Sequence, residues 1–462
     1  MARIAPLSPL RYDLARLHGE LSRVVSPPYD VISPEERAVL AARDPHNIVH
    51  LILPEGDAPA KYVHAGELLA RWRAESVLTR DAEPAFYRLD QTFVPPGAPP
   101  GTPAITRRGF LALVELVPFS DRIVLPHERT LSGPKADRLE LFRATRANLS
   151  PGFMLYRDPE RRLDSALATA EIFAELSTPD GVRHAVAKVS RPEAVRAIVD
   201  GVARSTLLIA DGHHRYETAL AYAREVTAAT PSASPRGEHR YFMTFLTNGD
   251  DPSLVVFPTH RHVHGVPGFS FGHLLREAAA TFEVERLPQG ASAQALTEAL
   301  RRAKAKGPAV VAAAADGSAA LLTLRGDVDL AGHATLSRQP PVLRKTDVAV
   351  LHAGLLEGVL GITPAAQAAK TNLWYPQDAA AALGELRSGK GDVLFLMNAT
   401  PVADVRDVAE AGEVMPQKST FFYPKVPTGL AVHTLDPARA VPGDATGPAL
   451  ADDAVALVPG HA

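Results

Sequence analysis

The most informative run of side chains in this sequence is Asp211-Gly212-His213-His214-Arg215-Tyr216-Glu217, directly behind the apolar segment Leu207–Ala210. An apolar strand that breaks at Asp-Gly and continues as a helix aims backbone N–H groups and the positive end of the helix dipole at one point. That combination holds phosphate. Gly212 lets a ligand approach the backbone. Arg215, one turn in, can clamp an anion with its fork. Asp211 can hold a metal ion such as Mg²⁺ or accept a proton, and His213, His214 and Glu217 add acid–base groups. The chemistry implied is the handling of a phosphate ester.

Other constellations are more open. LPHERTLSGPKADRL (125–139) gathers His127, Glu128, Arg129, Lys135, Asp137 and Arg138; a His-Glu pair followed by Lys and Arg suits acid–base work beside phosphate contacts, and Asn148 and Ser150 follow closely. SPPYDVIS (26–33) sets Tyr29 and Asp30 between a double proline and a helix cap, as a rigid positioning loop would, with His46 and Asn47 downstream. His260, His262 and His264 alternate, so one strand would place all three on one face, a spacing compatible with a metal site. Residues 412–419 have the length of a phosphate-binding P-loop, but Gln417 stands where the second glycine belongs, which defeats that reading. Lys418, Ser419, Thr420 and Lys425 still read as an anion-binding loop. Asp347 and His352 are weaker candidates.

These residues need elements to carry them. Ser33-Pro34-Glu35-Glu36 predicts a helix start with Ser33 as N-cap. Periodicity predicts a helix over 60–75, strands over 86–93 and 106–115, a surface loop VPPGAPPGTP, a helix over 135–147 and a strand over 152–156. Further strands are predicted over 205–210, 241–247 and 254–263, with a helix from His213 to about 228. Helix and strand then alternate over 271–323. A strand over 393–397, a helix to about 411 and an edge segment over 420–423 complete the pattern. The fold class expected is α/β or α+β with mixed sheets. The divisions expected are an α/β region over 1–200, a phosphate-binding segment over 201–265, a second α/β region over 266–436 and a loose tail over 437–462.

Composition narrows the function. The 462 residues include 49 Lys+Arg against 52 Asp+Glu, a net charge of -3, 46% hydrophobic residues and no cysteine. Without cysteine there is no disulfide, no thiolate-held metal centre and no cysteine nucleophile. The near-neutral balance gives no basic field for nucleic acid. No apolar run approaches the roughly 18–20 residues of a membrane helix, and MARIAPLSPLRYD lacks the layout of a signal peptide. The expectation is a cytoplasmic protein without nucleic-acid or membrane partners. Its oligomeric state is not legible.

DGHHRYETA resembles the phosphate-binding signature of the ParB/sulfiredoxin superfamily, and its DGHHR form resembles that of ParB-like free-serine kinases. Over its length, on SPPYDVIS, LPHERT, ADGHHRYETA, PTHR and MPQKSTFFYPK, the chain resembles domain-of-unknown-function family 1015. The first resemblance implies a ParB-like nucleotide-binding segment in mid-chain, with Asp211, Gly212, His213, His214 and Arg215 at the nucleotide. The sulfiredoxin thiol has no counterpart, which excludes sulfinic acid reduction. No helix-turn-helix stands beside the motif to support DNA partition. The implied function is an ATP- or ADP-dependent phosphotransferase with Mg²⁺, acting on a small hydroxylated metabolite, free L-serine first. Catalytic groups would be Asp211, His213, His214, Glu217, His127 and Glu128. Phosphate contacts would come from Gly212, Arg215, Lys135, Arg138, Lys418, Ser419 and Thr420, with Tyr29, Asp30, His260 and Arg261 also in the cleft. A phosphatase for a phosphomonoester such as phosphoserine, with His213 or His214 as acid or nucleophile, and a non-catalytic nucleotide-binding regulator are the alternatives.

Overall fold

Ser33 opens the first long helix as the sequence requires: its hydroxyl accepts the N–H of Glu36 at 3.1 Å, and Pro34 takes the first helical position, where it has no N–H to lose. The computed structural model describes residues 1–98, 101–129 and 132–443. Part of the VPPGAPPGTP loop and most of the expected tail fall outside those residues. The described chain is mixed α/β, as expected. It divides into two compact units, one built from Met1–Leu125, Leu131–Leu254 and the stretch beginning at Pro424, the other from Pro126–Thr130 and Val255–Tyr423. The 201–265 segment therefore contributes to both.

The first unit is organised by a nine-stranded sheet. Its strands are β1 (Ile4–Ala5), β2 (Phe86–Phe93), β3 (Ile105–Glu115), β4 (Val124–Leu125), β5 (Gly152–Tyr156), β6 (Glu171–Ser177), β7 (Arg183–Val189), β8 (Leu207–Asp211) and β9 (Tyr241–Asn248). They lie in the order β4-β8-β5-β9-β3-β2-β7-β6, with β1 paired to β3. Most neighbours are antiparallel, but β8 runs parallel to β4 and β9 parallel to β5. The strands β5, β8 and β9 are almost wholly buried, because helices cover this end of the sheet. One of them, α1 (His213–Ala229), is anchored by Tyr216, whose hydroxyl donates to the Val117 carbonyl at 2.9 Å and accepts the Val117 N–H at 3.0 Å. The apolar core runs from Phe86 and Phe110 through Met154, Ile209 and Phe242 to Leu435.

The second unit carries a six-stranded sheet with both faces covered. Along Ala309–Ala313, Val310 and Ala312 face one core while Ala309, Val311 and Ala313 face another, the mark of a strand buried on both sides. Residues 254–263, read as one strand, are two. Val255–Phe257 pairs with Phe421–Tyr423, and Arg261–Val263 lies in the large sheet. Pro258, which has no N–H for a ladder, separates them. The helix expected from 135 begins earlier, at Ser132, and the strand expected from 205 begins at Leu207.

Several histidines are buried in these units, among them His184, His239, His260, His352 and His433. Desolvation lowers their imidazoles to about 4 for His184, His239, His260 and His433 and about 3 for His352. Each stays neutral in the fold and takes up a proton on unfolding once the pH is below its usual value of 6.5. Between pH 6.5 and about 4 the unfolded chain thus binds more protons, so stability is full at neutral pH and is lost as the pH falls through that window. Calorimetry should show the melting temperature dropping steadily over this range, with a shallower slope in His433→Gln; a flat profile would contradict the assignment.

Candidate functional site

The strand-to-helix junction forms as the sequence implies, with one refinement. Pairing of β8 with β5 runs Leu208 to Leu155 and Ile209 to Met154, then skips to Asp211 opposite Phe153. Ala210 is the extra residue of a bulge. Bulges re-aim the side chain that follows, and the one that follows is Asp211. Gly212 sits at φ +91 as the N-cap of α1, a left-handed conformation that suits glycine.

Two cations converge on the Asp211 carboxylate. Arg215 pairs with Oδ2 from one turn into α1, and Lys425 Nζ lies 2.6 Å from Oδ1. Arg215 is buried and also donates to the Pro151 carbonyl. Lys425 is fixed through its backbone. Gln91 Nε2 donates to the Lys425 carbonyl at 3.0 Å, and Arg107 donates to the Pro424 carbonyl and to Gln91 Oε1. The Arg107 guanidinium is buried against the packed rings of Phe153 and Phe245, 4.7 and 5.4 Å from their centres. Gln91 and Arg107 are opposite each other on β2 and β3.

The same unit places the other expected residues nearby. Tyr29 opens a short 3₁₀ turn after the double proline, and the Arg138 guanidinium stacks on its ring at 4.3 Å. Burial raises the Tyr29 hydroxyl above its usual range, and charges on Arg215, Asp30, Arg138 and Asp211 all reach it. Arg138 is itself buried, held by Asp137 at 2.8 Å and the Ile52 carbonyl at 2.6 Å. Glu217 pairs with Lys135 at 2.6 Å. His213 is buried and His214 half-buried. Asn148 and Asn47 serve the backbone: Asn148 accepts the Met243 N–H at 2.8 Å, and Asn47 donates to the Arg23 and Val25 carbonyls. His46 packs edge-on against Trp72.

His127, Glu128, His260, Arg261, Lys418, Ser419 and Thr420 belong to the second unit. The expected grouping of Lys425 with Lys418–Thr420 does not hold within either unit, since the chain passes from one to the other between Tyr423 and Pro424. The backbone N–H groups of Lys418, Ser419 and Thr420 do bind an anion, but it is the Glu128 carboxylate, at 3.3, 3.0 and 3.2 Å. His127 is buried, its Nε2 2.8 Å from the Thr420 hydroxyl.

Among the described residues no group of three or more His, Asp or Glu side chains is placed to hold a metal ion. At Asp211, where the sequence leads one to expect a metal ion, the carboxylate is paired with Arg215 and Lys425. Of the alternating histidines, one bonds to the backbone and the other two pack on the same tryptophan. His260 Nδ1 accepts the Met397 N–H at 3.1 Å, His262 meets Trp374 edge-on, and His264 stacks on Trp374 with ring centres 4.0 Å apart.

Sequence reading does not single out Gln91 or Arg107. A usable signal exists, because LDQTF and ITRRGF place polar residues at positions where a strand buries its side chains. The Pro151 carbonyl leaves no trace in the sequence.

The family model described as "Protein of unknown function (DUF1015)" matches residues 4–349, well over half of the chain. The chain belongs to the DUF1015 family. Comparison of this DUF1015 chain with curated proteins returns no match. Among solved structures, a conserved hypothetical protein from Pyrococcus furiosus is 14% identical, with a TM-score of 0.34 over 68% of this chain and 92% of its own. A free serine kinase in complex with AMP is 13% identical, with a TM-score of 0.34 over 68% and 88%. SbnI with a C-terminal truncation, from Staphylococcus aureus, is 11% identical, with a TM-score of 0.34 over 70% and 87%.

The Gly212 geometry in this DUF1015 chain gives a direct test. An added Cβ would lie 3.0 Å from the Arg215 guanidinium, at a backbone φ that side chains rarely adopt. Gly212→Ala should lower stability in urea unfolding by about 1 kcal/mol or more. The loss should shrink in an Arg215→Ala background, where the crowding is gone and the backbone cost remains. Strictly additive losses would show that the crowding does not matter.

Proposed function

We propose that the Asp211–Arg215 turn binds the phosphates of ATP or ADP and that the chain transfers a phosphoryl group to a small hydroxylated metabolite, with free L-serine the first candidate. One observation carries the reading: at a bulged strand end, two cations from distant parts of the sequence are fixed on a single carboxylate beside the N-terminus of a 17-residue helix. Positive charge held in place at a helix N-terminus suits phosphoryl oxygens and the charge that builds on them during transfer. The resemblance of DGHHR to the free-serine kinase motif directs the choice of acceptor.

In this reading Arg215 and Lys425 bind and orient the phosphates, and Tyr29 and Arg138 shape the neighbouring wall. Orienting the acceptor hydroxyl requires a carboxylate. Glu217 is paired with Lys135, whereas Asp30 is exposed, follows Tyr29 in the chain, and its charge reaches the Tyr29 hydroxyl. Asp30 is therefore assigned to accept the hydroxyl proton.

Calorimetry with ATP and ADP, and ³¹P NMR of serine incubated with ATP, ADP or pyrophosphate as donors, test the proposal. Arg215→Met should weaken nucleotide binding by about tenfold or more. Asp30→Asn should lower kcat by about a hundredfold with nucleotide affinity kept. Absence of both nucleotide binding and phosphoserine would overturn the reading. Phosphate release from phosphoserine without nucleotide would replace it by a phosphatase, and tight binding without turnover by a regulator.

A further inference from the structure

The second unit contains an anion site whose present occupant is a side chain of the chain itself. Glu128 forms an isolated parallel bridge with Met415, and its carboxylate lies in the turn that follows. Oε1 accepts the N–H groups of Ser419 and Thr420, with the Thr420 hydroxyl at 3.4 Å, and Oε2 accepts the N–H of Lys418. Three consecutive amides aimed at one point make a cradle for an oxyanion. The carboxylate already in it shows that the cradle works.

The turn is held from outside as well. The Lys418 carbonyl accepts from Arg261 Nη2 at 3.1 Å, and the Ser419 carbonyl from the Thr400 hydroxyl at 2.7 Å. Arg261 is buried; its Nε donates to His352 Nε2 at 3.0 Å, and His352 Nδ1 lies 2.8 Å from Gln367 Oε1. Gln367 belongs to the helix Pro364–Ala369, which Lys370 terminates. Lys370 and Lys418 thus hang on the two ends of one buried Arg261–His352–Gln367 chain. Both have φ of +58, and the left-handed conformation costs a lysine energy that the surroundings must supply. The charges of Lys418 and Glu128 both reach Lys370, where burial and Lys418 together lower the ammonium below its usual range. The ring of Tyr375 lies 4.9 Å from the Arg261 guanidinium.

The turn that Arg261 holds through the Lys418 carbonyl is occupied by one singly charged carboxylate, whose charge reaches Arg261 and Lys370. A phosphate group brings more oxygens and nearly twice the charge. We propose that the Lys418–Thr420 turn is a phosphate-binding site flanked by Lys370 and Lys418, from which an incoming phosphate group displaces Glu128. This site lies within the second unit and does not depend on the function proposed for the Asp211–Arg215 turn. If Glu128 were only a permanent strap on the loop, no phosphate would enter whether or not its charge were present.

The test is calorimetric titration of the full chain with inorganic phosphate, every variant carrying Arg215→Met to silence the other turn. Glu128→Gln should bind phosphate about tenfold or more tightly than its parent, since the competing charge is gone. Adding Lys370→Met or Lys418→Met should erase that gain. Folded Glu128→Gln and Glu128→Ala proteins that bind no better than the parent would overturn the proposal, as would a gain that survives loss of both lysines. If neither variant folds, amide NMR of the unmodified chain decides: phosphate-dependent shifts at Lys418, Ser419 and Thr420 support the site, and unmoved amides reject it.

Discussion

The candidate site in the first unit depends on how one carboxylate is shared. Asp211 ends a buried strand, and a carboxylate in such surroundings needs partners to offset its lost hydration. It has two, and they do different things. Arg215 is local, four residues on, and ties the strand end to the first turn of the helix. Lys425 is remote and brings in the segment after Tyr423. The bulge at Ala210, the left-handed Gly212 and the Pro151 carbonyl set the carboxylate and the arginine in place. Gln91 and Arg107 do the same for the lysine. A buried guanidinium packed on two phenylalanine rings is a costly way to hold a backbone segment, and here it fixes where a second cation stands.

Much of this was legible in the sequence. The strand-to-helix turn at Asp211-Gly212 could be read because each residue there states a backbone requirement: an apolar run, a residue free to adopt positive φ, and a helical pattern behind it. The strands Phe86–Phe93, Gly152–Tyr156 and Val393–Met397 stand where alternation or short apolar runs placed them. Long-range pairing was not legible. Nothing local to Lys425 points to Asp211, and its nearest neighbours in sequence suggested a shared loop with Lys418. A proline at 258 also divided what periodicity alone joined, since hydrophobicity does not register a missing N–H.

The two turns show one chemical device in two states. Each gathers hydrogen-bond donors on an oxyanion. In the first unit the oxyanion is Asp211, met by side-chain cations; in the second it is Glu128, met by three main-chain amides. In the loop Lys418–Thr420 the sequence suggests the capacity to hold an anion, and the amides there are turned to the Glu128 carboxylate. The sequence does not report which anion, since that depends on a residue nearly three hundred positions away.

The order of the chain imposes a condition on when the first site can exist. A chain leaving the ribosome presents Asp211 and Arg215 together, and their pairing can form as soon as the helix does. The lysine that completes the arrangement is 214 positions further on, after the whole sheet of the second unit has been made. An interrupted or C-terminally clipped product would keep the strand, the glycine turn and the helix, yet lack the second cation. Synthesis as far as Lys425 is thereby a condition for the full set of charges at the site.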